Sequence, residues 1–142
     1  GIDCPKVAVL AANEVVSPKM PATVDARDLM EMNRRGELGP AIVEGPMAMD
    51  VALSREAAAH KGIKSRIAGD VDLFVVPGIE AGNILGKALI HCAGAQSAGV
   101  ILGATRPVVM VSRADSAAAK LNSIALACCL AVGSDSPGQT FL

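Results

Sequence analysis

Short, unbroken apolar runs constrain the fold of this chain more than any other feature. Residues 6–10 read KVAVL and residues 73–76 read LFVV, and neither run alternates polar with apolar residues. Strands of this kind are typical of a parallel sheet that is covered on both faces. Helical stretches separate them, so the sequence predicts an α/β fold with a mainly parallel sheet covered by helices.

Further elements are predicted around these two strands. Additional strands are expected at residues 41–44, 100–102 and 108–111, and helices at residues 21–35, 54–61, 84–92 and 116–132. Thr23 and Ser54 are the expected N-caps of the first two helices. Gly45-Pro46 is expected to end the strand at residues 41–44. The last two strands are too close for a helical crossover, so one of them should be antiparallel.

Composition and charge exclude several classes of function. The chain has 142 residues, which is one domain or one domain plus part of a second. Its 13 basic and 14 acidic residues give a net charge of −1, which argues against a nucleic-acid surface or a polybasic membrane patch. Aromatic residues make up 1%, too few for base-stacking platforms.

Hydropathy and cysteine spacing point to the cytoplasm. The most apolar stretch, residues 124–132, is far shorter than a membrane span, so no membrane association is expected. The four cysteines show no CxxC spacing, and two of them are adjacent. We therefore expect reduced, structural thiols in a cytoplasmic protein and no metal site.

Three loops could carry chemistry, and the first is Pro77–Asn83, between a buried strand and a helix. Ligands of open α/β sheets bind at the carboxyl ends of the strands, and a glycine there lets backbone N–H groups approach an anion. The alternative is an ordinary strand–turn–helix with Asn83 as N-cap, and spacing alone slightly favours it. Neither a Walker P-loop nor GxGxxG is present.

The second loop, Ser112–Ser116, combines a hydroxyl and a guanidinium with the start of a helix, which suits a phosphate group. Asp115 and Ser116 could simply be capping residues. Arg113 favours function, because capping does not call for a cation at the positive end of a helix.

The third loop is Gly45-Pro46 with Asp50, for which a plain turn is the preferred interpretation. His60 and His91 lie on predicted helices and are too far apart in sequence to suggest a metal pair. We expect each to be an ordinary surface or core histidine.

Taken together, four segments resemble the phosphate acetyl/butyryl transferase family, and most closely its butyryl members. They read PKMPATVDA at 18–26, EGPMAMD at 44–50, IEAGN at 79–83 and SRADS at 112–116, and the resemblance extends from about Lys6 to about Ala131. It implies the reversible reaction acyl-CoA + phosphate = acyl phosphate + CoA. Coenzyme A, acyl phosphate and inorganic phosphate are then the partners, with no permanently bound cofactor.

The resemblance also implies site residues. Ser112 and Arg113 match the pair that contacts the phosphoryl group, and Asp115 is the remaining carboxylate of that segment. The positions that would line the same cleft and bind phosphate or CoA are Glu80, Gly82, Asn83, Asp50 and Ser116. The acetyl enzymes carry a catalytic aspartate where this chain has Ala119, and the butyryl pattern often has Glu where it has Ala118. The identity of the general base is therefore open.

The resemblance covers only the C-terminal half of a family member. It implies an architecture like that of isocitrate and isopropylmalate dehydrogenases, with residues 1–106 as the second α/β domain. Residues 107–142 would be a C-terminal strand and helix that pack on an absent first domain. The last helix would then expose Ile124, Leu126, Leu130 and both adjacent cysteines, which favours association. We expect a homodimer, as is usual in the family, and a chain that is inactive alone.

Two alternatives stay open at this point. One is a non-catalytic domain that binds CoA or an acyl phosphate, or that only dimerises. The other, a metal- and NAD-dependent decarboxylating dehydrogenase of similar fold, would need clustered acidic metal ligands, and the sequence contains none.

Overall fold

A computed structural model describes residues 2–134, with side chains to residue 131. It divides into two compact units, Gly1–Ile84 and Leu85–Leu142. The predicted boundary between residues 106 and 107 concerns domains of a longer protein, and it stays a prediction; residues 135–142 of that second segment lie outside the described part.

A three-stranded parallel sheet forms the centre of the first unit. Its strands are β1 (Lys6–Leu10), β2 (Ile42–Met47) and β3 (Leu73–Val75), in the order β2-β1-β3. The helices of this unit are α1 (Pro21–Arg34), α2 (Met49–Leu53) and α3 (Arg55–His60). The predicted α/β class and parallel sheet are confirmed.

The central strand β1 is buried on both faces, as its unbroken apolar sequence predicts. Alternate side chains of a strand point to opposite faces. Val7 and Val9 therefore belong to one cluster with Ala26 of α1, whereas Ala8 and Leu10 belong to a second cluster with α2 and α3. Covering helices on both faces are the reason that no polar residue interrupts β1 after Lys6.

Helix α1 begins at the predicted residue, but the predicted role of Thr23 is wrong. Thr23 was expected to be the N-cap, but the helix begins at Pro21, a residue whose fixed φ suits the first turn. Thr23 lies inside the helix and is fully buried. Its hydroxyl accepts a hydrogen bond from the N–H of Ser17 (2.9 Å) and lies 2.7 Å from the carbonyl oxygen of Met20, to which it donates. Thr23 thus fastens the incoming loop to the helix.

Strand β2 continues through Gly45-Pro46, so the prediction of a turn at these two residues is wrong. The N–H of Ala11 bonds to the carbonyl of Met47 (3.0 Å), and the β1–β2 register shifts between Ala8 and Leu10. A Cβ on Gly45 would lie 2.8 Å from the carbonyl oxygen of Val9, so the glycine allows a close approach of strands rather than a turn. The short helix α2 follows directly and was not predicted; α3 begins after Ser54, whose hydroxyl caps it as predicted (3.1 Å to the N–H of Ala57).

Helix α4 (Ile79–Ala93) begins five residues earlier than predicted. Glu80, Gly82 and Asn83 are therefore helical, and Asn83 is not an N-cap. A Cβ on Gly82 would lie 2.9 Å from Cγ2 of Val76, just after β3. Gly82 is needed because α4 packs closely against the residue that follows β3. A glycine at this position is therefore compatible with a helix, and it does not indicate a loop.

The second unit contains most of α4 and the final helix α5 (Ala117–Ser134). The predicted strands at 100–102 and 108–111 are reduced to one antiparallel bridge between Ile101 and Val108. Their antiparallel relation is confirmed, but no longer ladder forms among the described residues, and most residues of the two segments are exposed. Ser123 of α5 is buried, and it accepts a hydrogen bond from the N–H of Gly99 (3.0 Å).

Helix α5 exposes apolar side chains, as expected. Ile124 is 53% exposed and Leu126 is 38% exposed, whereas Leu130 is half-buried. All four cysteines are free and exposed, which was expected for the adjacent pair Cys128 and Cys129 of α5 but contradicts a buried structural role for Cys4 and Cys92. None of the helices that can be described combines the length and apolarity needed to cross a bilayer.

Candidate functional site

The segment Ser112–Ser116 forms a tight turn that leads directly into α5. The N–H of Ser112 donates to Oδ2 of Asp115 (2.7 Å), and the N–H of Asp115 donates back to the carbonyl of Ser112 (3.1 Å). The Ser116 hydroxyl then accepts from the N–H of Ala119 (3.1 Å), so Ser116 is the N-cap residue of α5. Ser116 therefore caps α5, and the Asp115 carboxylate stabilises the turn through its hydrogen bond with the N–H of Ser112.

A cavity of about 400 Å³ lies next to this turn, entirely within the second unit. Asp115 and Ser116 line it from the α5 side, together with Ala118 and Ala119. Lys87 and His91 line it from α4. Polar residues of the predicted Ser112–Ser116 segment and polar residues of α4 therefore line the same cavity.

Arg113 is exposed and forms no ion pair or side-chain hydrogen bond with any residue the structure describes. Ser112 is also exposed, and its hydroxyl oxygen lies 3.4 Å from the N–H of Ala114. Arg113 follows Ser112 directly and precedes the N-cap of α5 by three residues, and a guanidinium and a helix N-terminus are both groups that bind phosphate. The site roles of both residues stay predictions.

The residues of the predicted EAGN loop lie on the first turn and a half of α4, in the first unit. Glu80 and Asn83 line a shallow depression together with Ile79 and Ile84. Ile79 is 79% exposed and Ile84 is 69% exposed, so this helix start presents an apolar surface beside two polar side chains. The depression is open, and no other predicted site residue lines it.

Asp50 lies in the first turn of α2 and is exposed. Its carboxylate forms an ion pair with Nζ of Lys61 (2.9 Å), which also binds Glu14 (3.0 Å). The hydrogen bond from Lys61 lowers the pKa of Asp50 below its usual range. A carboxylate that is ionised and already paired has little to offer an anionic substrate, and its ligand role stays a prediction.

A second cavity of about 450 Å³ lies in the first unit beside Gly45-Pro46. Its polar centre is Glu44, whose carboxylate accepts hydrogen bonds from the Ser65 hydroxyl (2.6 Å) and the N–H of Arg66 (3.1 Å). Lys64 and Arg34 also line it. Both carboxylates of its lining have partners, because Glu14 also pairs with Lys61 (3.0 Å).

Asp115 and Ser116 thus line one cavity of the second unit, whereas Asp50 and Glu80 belong to the first unit. Sequence reasoning missed Lys87 and His91, because their relation to Ser116 arises only when α4 packs near α5. Their spacing of one helical turn was the available signal. Across residues 2–134, no group of three or more His, Cys, Asp or Glu side chains is placed to hold a metal ion.

Comparison with known proteins decides the family. A family model described as "Phosphate acetyl/butaryl transferase" matches residues 1–128. The chain belongs to the phosphate acetyl/butyryl transferase family. It is 48% identical over 131 residues to a phosphate butyryltransferase of Clostridium acetobutylicum, and 54% identical over 126 residues to a phosphate acetyltransferase of Thermotoga maritima.

The matches cover most of this chain and less than half of each relative. The two alignments span 92% and 89% of the chain but 44% and 43% of the relatives. Among solved structures, a branched-chain phosphotransacylase from Enterococcus faecalis superposes with a TM-score of 0.81 at 41% identity. That match covers 90% of this chain and 46% of the other.

Proposed function

We propose that the chain is part of a phosphate acyltransferase that moves an acyl group between coenzyme A and inorganic phosphate. The observation that carries the proposal is the Ser112–Ser116 turn, in which Arg113, without an ion pair among the described residues, lies three residues before Ser116, the N-cap of α5. In a member of this family, that arrangement suits the phosphoryl group of an acyl phosphate.

This reaction makes three demands on the active site. The CoA thiol must lose its proton, the phosphoryl group must be held, and the negative charge that develops on the carbonyl oxygen must be stabilised. Arg113 and the Ser112 hydroxyl are the groups we assign to the phosphoryl oxygens, because a guanidinium binds them in a fork. Ser116 and the first N–H groups of α5 add a positive end to the same region.

Asp115 is the carboxylate within the Ser112–Ser116 turn, and its Oδ2 atom already accepts a hydrogen bond from the backbone N–H of Ser112. We therefore assign it the positioning of the Ser112–Arg113 backbone. Glu80, Gly82, Asn83 and Asp50 are proposed to face the same cleft in the assembled enzyme.

Because the chain spans less than half the length of its relatives, the rest of the architecture is also proposed. A dehydrogenase-like pair of α/β domains would supply the second wall of the cleft, and exposed apolar residues such as Ile124 would be covered there or in a homodimer. Coenzyme A would bind as a substrate, with no resident cofactor, in the cytoplasm.

A second candidate is a binding or dimerisation module without catalysis. It is favoured by one observation: Ala118 and Ala119 line the cavity at the start of α5, where a carboxylate base could otherwise lie. The chain alone would then bind phosphate or CoA and turn over neither.

An exchange assay separates the two candidates. Thiol release from acetyl-CoA and butyryl-CoA in phosphate is measured for this chain alone. It is also measured for the chain joined to the part of the Clostridium acetobutylicum relative that lies outside the match. We expect turnover from the joined protein and none from the chain alone. Absence of turnover from a folded joined protein, with CoA or phosphate still bound, would favour the binding module.

A further inference from the structure

One lysine joins two acidic side chains at the carboxyl end of the parallel sheet. Nζ of Lys61 lies 3.0 Å from Oε1 of Glu14 and 2.9 Å from Oδ2 of Asp50. Glu14 belongs to the loop that follows β1, and Asp50 lies in the first turn of α2, which follows β2. Because β1 and β2 are parallel, both acidic residues come after the same ends of their strands. Lys61 follows α3, so its side chain connects three segments of the first unit.

The carboxyl end of the strands is the edge at which open α/β sheets bind ligands. The strand order is β2-β1-β3, so the chain moves to one side of β1 and then to the other. Ligands of such sheets bind outside the carboxyl ends of the strands, where the order reverses. Glu14 follows β1, the strand at that reversal, and it also lines the cavity of about 450 Å³ beside Gly45-Pro46. The charge of Glu14 therefore acts on anions that approach this edge.

The substrates of the proposed reaction are all anions, and carboxylates at the edge where they bind would repel them. Only 16% of the Glu14 side chain is exposed, so water screens its charge incompletely. Among the described residues, Lys61 is the only cation that forms an ion pair with Glu14 or Asp50. Lys61 and Asp50 are 40% and 54% exposed, and so open a pair adds little to stability. The main effect of Lys61 is thus to offset one of two negative charges.

We propose that Lys61 is a positioning residue of the acyl exchange. It holds Glu14 and Asp50 together and offsets their charge, so that anionic substrates can reach the carboxyl end of the sheet. The proposal rests on the proposed function, because that function supplies the anionic substrates. Lys61 touches no substrate and acts through the two carboxylates. Loss of its charge therefore weakens the binding of CoA and phosphate more than it slows the chemical step.

The test compares Lys61→Met with the parent in the joined protein. Calorimetric titration measures the affinity for CoA, and steady-state kinetics with butyryl-CoA measure kcat and the KM for phosphate. At low salt we expect Lys61→Met to weaken CoA binding and to raise this KM about fivefold, with kcat changed less than about twofold, because two like charges are left without a cation. The difference should shrink as sodium chloride is added, since salt screens the repulsion. Lys61→Arg keeps the charge and should restore most of the affinity.

Lys6→Met is the matched control, because Lys6 forms an ion pair of the same kind at the opposite end of the sheet. Lys6 is the first residue of β1, and its Nζ lies 2.8 Å from Oδ2 of Asp70. This variant loses an ion pair but should keep the CoA affinity of the parent. In the Lys61→Met background, Glu14→Gln should restore part of the affinity, because it removes one uncompensated charge. A merely structural lysine would not give this restoration. Amide spectra check that every variant is folded.

Three results would overturn the role of Lys61. They are unchanged CoA affinity in Lys61→Met, an equal loss in Lys6→Met, or a loss that neither salt nor Glu14→Gln reduces.

The outcome is separable from that of the proposed function. A joined protein that binds CoA with the expected pattern but does not exchange acyl groups would uphold the role of Lys61 and reject the catalytic function. An active joined protein in which Lys61→Met changes neither CoA affinity nor KM would do the reverse. A folded joined protein that does not bind CoA would reject both.

Discussion

Ser123 illustrates how one buried polar side chain organises the second unit. It is 1% exposed, and its hydroxyl donates to the carbonyl of Ala119 (2.8 Å) while it accepts from the N–H of Gly99 (3.0 Å). A buried hydroxyl of this kind is tolerated because both of its hydrogen-bonding capacities are used. It ties the segment after α4 to the first turns of α5, next to the proposed phosphoryl site.

Replacing Ser123 by Ala should destabilise this unit by about 1–3 kcal/mol, because the Gly99 N–H loses its acceptor. Hydrogen exchange at Gly99 is the direct measurement, and Ser97→Ala is the control at a half-buried serine for which no hydrogen bond is found among the described residues. Unchanged protection of Gly99 in Ser123→Ala would contradict this role.

Two surface carboxylates of the first unit give it a dependence on pH. A hydrogen bond from Lys61 lowers the pKa of Asp50, and one from Lys6 (2.8 Å) lowers the pKa of Asp70. The folded chain therefore binds fewer protons than the unfolded chain around the usual aspartate range, near pH 4. The stabilisation is complete above that range and is lost as the pH falls through the lowered pKa values.

We accordingly expect urea midpoints to be flat from pH 7 to about pH 5 and to fall below about pH 4. Asp70→Asn should flatten part of that fall, whereas Asp25→Asn, an exposed site without an ion pair in the described structure, should not. An acid dependence that is identical in Asp70→Asn and in the parent would show that the Lys6–Asp70 pair is not its source.

At the scale of elements, helix α4 marks the limit of what the sequence predicts. The apolar runs of β1 and β3 and the helix after Pro21 were predictable, because periodicity and a first-turn proline act locally. Glu80-Ala81-Gly82-Asn83 reads as a loop, yet it is helical. Gly82 is required by a contact with Val76 that no local pattern reveals. Lys87 and His91 were missed for the same kind of reason, since their cavity exists only after tertiary packing.

A pair of glycine substitutions tests this account of α4. Gly82→Ala should destabilise the fold by about 1–3 kcal/mol, because its Cβ would lie 2.9 Å from Cγ2 of Val76. Gly86→Ala in the same helix meets nothing within 4 Å and should stabilise it by up to about 1 kcal/mol. Thermal unfolding compares the two, and an equal effect of both would refute the packing role of Gly82.

At the scale of the whole molecule, the chain is a member of its family that spans less than half the length of its relatives. The first unit has its own sheet and two apolar clusters, whereas α5 in the second unit exposes apolar side chains such as Leu121 and Ile124. The family motifs fall on both units. We therefore expect acyl exchange from the joined protein and not from the chain alone.

The most direct measurement is the rate of butyryl-CoA phosphorolysis by the joined protein with Arg113→Gln. We predict a loss of about 100-fold or more, because the guanidinium that we assign to the phosphoryl group would act in the transition state. Arg27→Gln, on the surface of α1, should leave the rate unchanged. A rate in Arg113→Gln equal to that of the parent would contradict the claim that the Ser112–Ser116 turn is the phosphoryl site of this enzyme.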